Sequence, residues 1–411
     1  MPPHLIVLLL FLIFFSVHLL VERGLSLLNS RHVYARRNEL PPADIMAPDA
    51  YAKSIDYALT RARFGHVADF IGSGETLFFL FSGFIPMLNE WIRGFGFGTL
   101  TSGVLLIAAF SVVQMMLGLP LQLYSTFRIE SRFGFNTTTA RTFWMDRVKG
   151  LVLAAVIGIP VLYAVLAFIE YSGPLWWLWA SLAMIGFQFV MMILFPIFIA
   201  PWFNKFTPID EGALKARLEQ LARQCDFAAR GIFVMDGSKR SAHSNAFFTG
   251  IGKGRRIVLF DTLIQQMQVE ELAAVLAHEI GHYKKKHIIK TVVLSSLMMV
   301  AGFYILSVLI DWRPLYDAFN VGPPSKAVGV LLFMLISGEF TFWVGPFFSA
   351  LSRKHEYEAD AYAKQQTSGP PMISALLKLS EKNLGTLHPH PAYSAYHYSH
   401  PTVLERIAAL K

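Results

Sequence analysis

The stretch AVLAHEIGHYKKKHIIK, residues 274–290, brings three histidines and one glutamate together within ten residues. The residues that precede His278 are apolar, contain no proline and recur at helical spacing, which predicts a buried helix. The residues that follow His287 begin a long apolar run. The stretch therefore predicts a helix that is packed inside a folded domain and leads directly into a membrane-sized segment.

The composition is that of a membrane protein. Of the 411 residues, 54% are hydrophobic and only 16% are charged, whereas about a quarter of a soluble domain is charged. A helix needs ~17–25 residues to cross the hydrocarbon. We expect the first apolar segment to be a retained anchor, since no basic residue precedes it and no small-residue cleavage site follows it. Seven segments reach or approach the spanning length, namely 5–21, 70–92, 99–124, 150–170, 175–200, 291–311 and 328–350.

The basic residues indicate the orientation in the membrane. Lys and Arg fall in alternate loops between the seven segments, 33 against 3. Because cytoplasmic loops carry the excess of Lys and Arg, the split predicts an N-terminus outside, with residues 201–290 and the C-terminus in the cytoplasm. The net charge of +8 then belongs to a face that contacts anionic lipid headgroups. The bilayer is therefore an expected partner, and nucleic acid is not.

The fold class that follows is a mainly α, polytopic membrane protein with a small cytoplasmic α/β layer. Three stretches have the β-branched and aromatic content of strands, and Gly252-Lys253-Gly254 predicts a hairpin turn between the last two. These stretches are GIFVMDGS (231–238), SNAFFTGI (244–251) and RRIVLFDTL (255–263). We divide the chain into four regions: 1–200 with spans one to five, 201–290 with the α/β layer, 291–350 with spans six and seven, and 351–411 with a helical cytoplasmic segment.

The histidine spacing predicts a metal site. Positions i and i+4 share one face of a helix, so His278 and His282 can offer two imidazole nitrogens to one ion. Glu279 is the next residue along the helix after His278, where it can reach a metal-bound water but is badly placed as a ligand. This is the HExxH pattern of zinc proteases. The alternative is a helix whose histidines are merely solvated, which burial of the pair disfavours. The single cysteine, Cys225, excludes a cysteine-based zinc cluster and an internal disulfide.

A third ligand is expected from SRKHEYEADAYA, residues 352–363. Glu356 and Asp360 lie one helical turn apart after the last span. Glu356 can complete a catalytic His₂Glu zinc site with the fourth position left to water. Asp360 can accept the free N–H of a metal-bound imidazole and fix its tautomer. Three further polar residues are expected to face away from the metal site. They are His355, Glu358 and His287, and His287 is expected at the membrane interface.

Four polar residues within the apolar segments predict a shared polar interior. A carboxylate inside the hydrocarbon is unfavourable unless it faces water or a partner. One such residue could form a local pair, but several in different spans fit a water-filled space among the helices better. They are Glu75, Gln114, Gln188 and Glu339.

Six blocks of the sequence resemble the type I CAAX prenyl proteases, membrane zinc endopeptidases of eukaryotes that have bacterial relatives. In chain order the blocks are FRIESRFGFNTTTARTF (127–143), IAPWFNKFTPI (199–209), SAHSNAFFTG (241–250), VLAHEIGHYKKKH (275–287), SRKHEYEADAYA (352–363) and YHYSHPTVLERI (396–407). The resemblance implies seven transmembrane helices around a water-filled chamber, with one Zn²⁺ per chain at its cytoplasmic end.

The resemblance also implies a role for each residue that matches the family's motifs. The ligands of the zinc would be His278, His282 and Glu356, the general base Glu279, and the acid behind the ligands Asp360. The strand residues that hold substrate backbone would be His243 and Asn245. The pair that supports the transition state and the zinc-binding glutamate would be His400 and Arg406.

Three functions remain open from the sequence. The first is removal of C-terminal residues from a peptide or protein substrate with a prenylated C-terminus. The second is quality-control proteolysis of membrane proteins, as in HtpX-type relatives. The third is a channel or transporter with a structural zinc, although no fourth ligand is evident. The short loop 312–327 and the lack of an ER-retrieval tail after Lys411 resemble bacterial members, so a bacterial inner membrane is expected rather than the ER.

Overall fold

The computed structural model of the chain describes residues 1–41, 45–250 and 255–411. Two helices, Pro48–Phe81 and Phe84–Arg93, are together long and apolar enough for one span but are bent by 57°. Six other helical segments meet this criterion alone: Pro3–Ala35, Thr99–Phe133, Ala140–Tyr171, Gly173–Phe203, His287–Leu309 and Lys326–Thr367. The multi-pass helical membrane protein expected from the composition is thereby confirmed.

The helices within the described residues are numbered in chain order. The proline-containing stretches of the fourth and fifth spans carry π-helical turns, Ala154–Gly158 just before Pro160 and Phe195–Ile199 around Pro196, since proline removes a helical hydrogen bond. The helices are α1 Pro3–Ala35, α2 Pro48–Phe81, α3 Phe84–Arg93, α4 Thr99–Tyr124, α5 Ser131–Phe133, α6 Ala140–Leu153, α7 Ile159–Tyr171, α8 Trp176–Leu194, α9 Ala200–Phe203, α10 Ala213–Gln224, α11 Asp261–Gln266, α12 Val269–Lys284, α13 His287–Leu309, α14 Arg313–Ala318, α15 Lys326–Thr341, α16 Gly345–Thr367, α17 Gly369–Lys382, α18 Pro391–His397 and α19 Val403–Leu410.

The second predicted span, 70–92, is not one continuous helix. α2 ends at Phe81, and Gly83 has a φ of 77°, a left-handed conformation that glycine adopts without strain. An α-helix does not pass through such a residue, so the chain turns there and begins α3. The predicted second span is therefore a pair of helices joined by a bend.

A four-stranded sheet lies in the α/β layer in the order β1-β2-β4-β3. β2 and β4 are parallel, whereas β1 and β3 pair antiparallel with their neighbours at the two edges. Three strands fall where the sequence predicts them. β1 was not predicted because it has three residues and ends in Pro208, which only an edge strand tolerates. The strands are β1 Phe206–Pro208, β2 Gly231–Met235, β3 Ala246–Thr249 and β4 Arg256–Phe260. The predicted turn Gly252-Lys253-Gly254 lies outside the described residues.

Close packing of α12 on α16 brings the two predicted metal-binding stretches together. A Cβ placed on Gly281 would lie 3.0 Å from Cα and 3.1 Å from the carbonyl oxygen of Ala359. The helices can approach this closely because position 281 has no side chain. α12 also packs on α10 and α17, and its buried face, with Cys225, belongs to the core of the α/β layer. The division of the chain at residues 200, 290 and 350 stays a prediction.

Two of the polar residues within the spans have polar partners on other helices. Glu339 Oε2 lies 2.7 Å from His18 Nδ1 and faces a cavity of about 280 Å³ that Glu22 and Asp69 also line. Gln188 instead donates from Nε2 to Ser295 Oγ at 3.1 Å, which joins α8 to α13. Its Oε1 is buried without a hydrogen-bond partner among the described residues, so the shared polar interior stays a prediction.

Candidate metal centre

His278, His282 and Glu356 converge on one point. One ligand atom from each lies within 4.8 Å of the other two. His282 Nε2 is 3.1 Å from His278 Nε2 and 3.3 Å from Glu356 Oε1, and His278 Nε2 is 3.5 Å from Glu356 Oε2. His278 and Glu356 are buried. Two imidazole nitrogens and a buried carboxylate that meet at one point form a donor set suited to a divalent metal ion. We name these three residues the metal centre.

Asp360 lies behind His278. Its Oδ1 is 2.8 Å from His278 Nδ1, so His278 can donate from Nδ1 and keep Nε2 free for a metal. Burial lowers the pKa of His278, but hydrogen bonds to Asp360 and Glu356 outweigh it and raise the pKa to about 9. The role of Asp360 in orienting a metal-bound His278 stays a prediction.

Glu279 lies on the same turn of α12 as His278. Burial raises the pKa of its carboxyl above the usual value, and the adjacent His278 and His282 oppose that shift. A carboxyl whose pKa is raised toward neutrality is suited to take a proton and give it back. Its placement agrees with the role of general base, which stays a prediction.

His400 and Arg406 reach the metal centre from the C-terminal segment. His400 Nδ1 lies 3.0 Å, and Arg406 Nη1 3.4 Å, from Glu356 Oε2. The side chain of His400 is 63% exposed, while that of Arg406 is 12% exposed. His400 also lines an open cavity of about 390 Å³ together with His397. His400 is thus at the mouth of the site, where a substrate can contact it, and Arg406 is inside.

His243 and Asn245 lie just before β3, at the edge of the sheet. Asn245 is exposed, and its side-chain oxygen accepts from the backbone N–H of Ala246 at 2.8 Å. His243 Nδ1 is 3.0 Å from Asn383 Oδ1, and its ring stacks on Phe135 with centroids 4.0 Å apart. The chain thus already occupies one nitrogen and one face of His243, and its contribution to substrate binding stays a prediction.

The structure joins His287, Glu358 and His355 through contacts that the sequence did not predict. His287 is 3% exposed, and its two nitrogens lie 3.0 Å from His282 Nδ1 and 3.0 Å from Glu358 Oε2. His287 also stacks on His355. The sequence did not predict that His287 is buried against His282, because α12 ends before it; its position at the membrane interface stays a prediction. Lys286 has a φ of 59°, so helical spacing does not continue from His282 to His287.

Comparison with known proteins gives matches along nearly the whole chain. Residues 29–205 match the family described as CAAX prenyl protease N-terminal, five membrane helices, and residues 208–411 match Peptidase family M48. CAAX prenyl protease 1 of Saccharomyces cerevisiae is 36% identical over 403 residues, which cover 90% of this chain and 88% of the yeast protein. The human CAAX prenyl protease 1 homolog is 33% identical over 430 residues, which cover 93% of this chain and 90% of the human protein.

A solved structure has the same fold. The crystal structure of S. mikatae Ste24p superposes with a TM-score of 0.91 at 34% identity, over 100% of this chain and 99% of that one. The yeast and human relatives are eukaryotic and give no support to the expected bacterial membrane. The shared fold, the match along nearly the whole chain and the paired HExxH and Glu356 lead to one conclusion: the chain belongs to the CAAX prenyl protease family of M48 membrane metallopeptidases, which hydrolyse peptide bonds.

Proposed function

We propose that the metal centre holds one Zn²⁺ per chain and that the enzyme removes C-terminal residues from prenylated substrates. The observation that supports zinc is the convergence of two Nε2 atoms and one carboxylate, all within 4.8 Å of one another. Three protein ligands of these types leave a fourth tetrahedral position open, as in catalytic zinc sites. A structural zinc would instead be closed by a fourth protein ligand.

Each residue around the metal centre has a separate role in hydrolysis. Zinc held there would supply a Lewis acid for a peptide carbonyl and an acidified water. Glu279 takes the proton of the attacking water and returns it to the leaving amine, for which its raised pKa is suited. Asp360 holds His278 with Nε2 free. His400 and Arg406 add donors beside the oxygen that becomes negative.

Edge strand β3 offers a place for the substrate backbone. One side of β3 pairs with β4, and β3 packs beside α12, the helix that carries His278. An extended peptide can add to such an edge through main-chain hydrogen bonds, which give affinity with little demand on side chains. Asn245, exposed at the start of this edge, would orient the peptide toward the metal centre.

Cavities between the membrane helices support a membrane-anchored substrate. A cavity of about 490 Å³ is lined by Glu22 and Asp69 of α1 and α2, and also by His397 and Tyr398. The smaller cavity beside His400 is lined by the same His397 and Tyr398. Polar space among the spans thus adjoins the mouth of the metal centre. A lipid-modified C-terminus could remain in the membrane while its peptide reaches β3.

The orientation proposed for the enzyme places this chemistry in the cytoplasm and the N-terminus outside. It is supported by the excess of Lys and Arg in alternate loops, 33 against 3. The α/β layer, α16 and α19 would then face the compartment in which prenylated proteins are made.

One experiment tests the activity and the substrate class together. Purified zinc-loaded protein is incubated with a prenylated CAAX peptide and with the same peptide unmodified, and the products are identified by mass spectrometry. We expect C-terminal trimming of the prenylated peptide and little cleavage of the other. Equal cleavage of both would overturn the substrate class and favour broader quality-control proteolysis. No cleavage of either, with zinc bound, would overturn the proposed activity.

A further inference from the structure

His287 connects the metal centre to a carboxylate outside it. It is the first residue of α13, 3% exposed, with Nδ1 3.0 Å from His282 Nδ1 and Nε2 3.0 Å from Glu358 Oε2. Its ring stacks on that of His355, with centroids 3.9 Å apart and planes inclined by 11°. An imidazole engaged at both nitrogens and on one face is held in a single orientation, directly behind His282.

The contact between the two imidazoles allows two directions of hydrogen bonding. Two Nδ1 atoms 3.0 Å apart share one proton, so one ring donates and the other accepts. If His282 donates, its Nε2 carries a lone pair toward the metal centre. His287 then has its own proton on Nε2 and donates it to Glu358. If His287 donates instead, the Nε2 of His282 carries the proton, and that nitrogen cannot bind a metal.

The carboxylate of Glu358 distinguishes these directions. An ionised carboxylate only accepts hydrogen bonds, so it stabilises His287 with its proton on Nε2. The reverse direction would turn a lone pair of His287 toward a carboxylate oxygen 3.0 Å away, which is repulsive. We propose that Glu358, acting through His287, fixes His282 in the tautomer that binds the metal. Glu358 and His287 are then positioning residues, and the inference rests on the metal centre proposed above.

The two histidine ligands would be supported in different ways. Asp360 contacts Nδ1 of His278 directly at 2.8 Å. The carboxylate that supports His282 acts through one intervening imidazole. Replacement of a residue that orients a metal ligand through its second nitrogen typically lowers metal affinity or activity about 10–100-fold. His287 and Glu358 should therefore be visible in metal binding itself.

The test is the Zn²⁺ affinity of the full-length protein in detergent, measured by competition with a fluorescent chelator. His287→Leu keeps a similar volume but removes both nitrogens, and we expect Zn²⁺ to bind about 10–100-fold more weakly. His287→Asn retains an acceptor near the position of Nδ1 and should lose less. Glu358→Gln should also weaken Zn²⁺ binding, because its amide can donate to His287 and so permits the reverse direction.

Matched measurements separate orientation from packing. His355→Phe keeps a ring stacked on His287 and leaves the contacts of His287 with His282 and Glu358 intact. Zn²⁺ affinity should therefore stay close to that of the wild type. A packing role predicts the opposite order at position 287, with Leu tolerated better than the smaller, polar Asn. That order, or a loss in His355→Phe as large as in His287→Leu, would overturn the inference. The melting temperature of each metal-free variant records any effect on folding.

Failure of this inference and failure of the proposed function are distinguishable. If the wild-type protein bound no Zn²⁺, the metal centre itself would be wrong. If the wild type bound Zn²⁺ and both His287→Leu and Glu358→Gln bound it as tightly, only the positioning role would be overturned.

Discussion

Asp360 and Arg406 form a two-point ion pair that joins α16 to α19. Oδ1 of Asp360 accepts from Nη2 of Arg406 at 2.6 Å, and Oδ2 accepts from Nε at 2.8 Å. Asp360 is 1% exposed, and its Oδ1 also lies 2.8 Å from His278 Nδ1. One carboxylate therefore connects the last helix of the chain to the metal centre, so a C-terminal substitution can affect metal binding and folding together.

Arg406→Gln should destabilise the protein strongly. The change removes the two-point guanidinium partner of the buried carboxylate of Asp360 and leaves it only His278. Breaking a buried pair typically costs ~3–5 kcal/mol of unfolding free energy, and the remaining contact with His278 places the expected loss at the lower end of that range. Arg217→Gln is the control, since Arg217 forms a two-point pair with Glu270 that is partly open to solvent and should contribute only ~0–1 kcal/mol. The melting temperatures of both variants, in metal-free protein, test this. Equal losses would contradict the structural importance assigned to the buried pair.

The stability of the metal-free protein should decrease between pH 6.5 and 9. Burial lowers the pKa of His278, but hydrogen bonds to Asp360 and Glu356 raise it from 6.5 to about 9. A group whose pKa is raised by folding stabilises the folded protein fully when the pH is below the pKa of the unfolded state. That contribution is lost as the pH rises through the pKa of the folded state. Melting curves across this range should show the decrease, and His278→Gln should flatten it. A wild-type curve as flat as that of the variant would exclude the shift.

The sequence predicted features that local periodicity specifies. The apolar spans, three strands and the shared face of His278 and His282 depend on residues close in the chain. Helical spacing did not predict that His287 is buried against His282 because Lys286 is left-handed, and lysine is not a residue expected in that conformation. The bend in the second span, by contrast, lies at a glycine, Gly83, and a glycine in an apolar segment can indicate a break in the helix. Contacts such as that between His287 and Glu358 join distant segments and need the tertiary fold.

Gly281→Ala should disturb the metal centre without removing a ligand. The added methyl group would lie 3.0 Å from Cα of Ala359, a backbone atom that cannot move aside as a flexible side chain can. Overpacking of this kind typically costs ~1–3 kcal/mol, and separation of α12 from α16 would also weaken Zn²⁺ binding. Gly302→Ala is the control, because a Cβ there meets nothing within 4 Å. Melting temperature and zinc content test both variants. Normal values for Gly281→Ala would show that the helices can separate at no cost.

The orientation in the membrane can be tested with single cysteines. Cys225 is the only cysteine in the sequence and is buried, so Cys225→Ala gives a background without a thiol. In that background, Arg93→Cys and Pro324→Cys should react with a membrane-impermeant thiol reagent on intact cells. Lys239→Cys and Lys411→Cys should react only after the membrane is opened. Labelling of Lys239→Cys from outside would reverse the orientation and move the metal centre to the other compartment.

The different tasks assigned to Glu279 and Glu356 give the sharpest test of the proposed chemistry. Glu279→Gln keeps the size of the side chain but removes the base. It should retain one Zn²⁺ per chain and a normal melting temperature while peptide hydrolysis falls by ~10²–10⁴-fold, the range that proton transfer contributes. Glu356→Ala removes a ligand, so it should lose Zn²⁺ as well as hydrolysis. Zinc content by elemental analysis and peptide turnover separate the two cases. Wild-type turnover in Glu279→Gln would contradict its role as the base. Full zinc content in Glu356→Ala would require another third ligand. His400, which lies 3.0 Å from Glu356 Oε2 at the mouth of the site, is the nearest alternative.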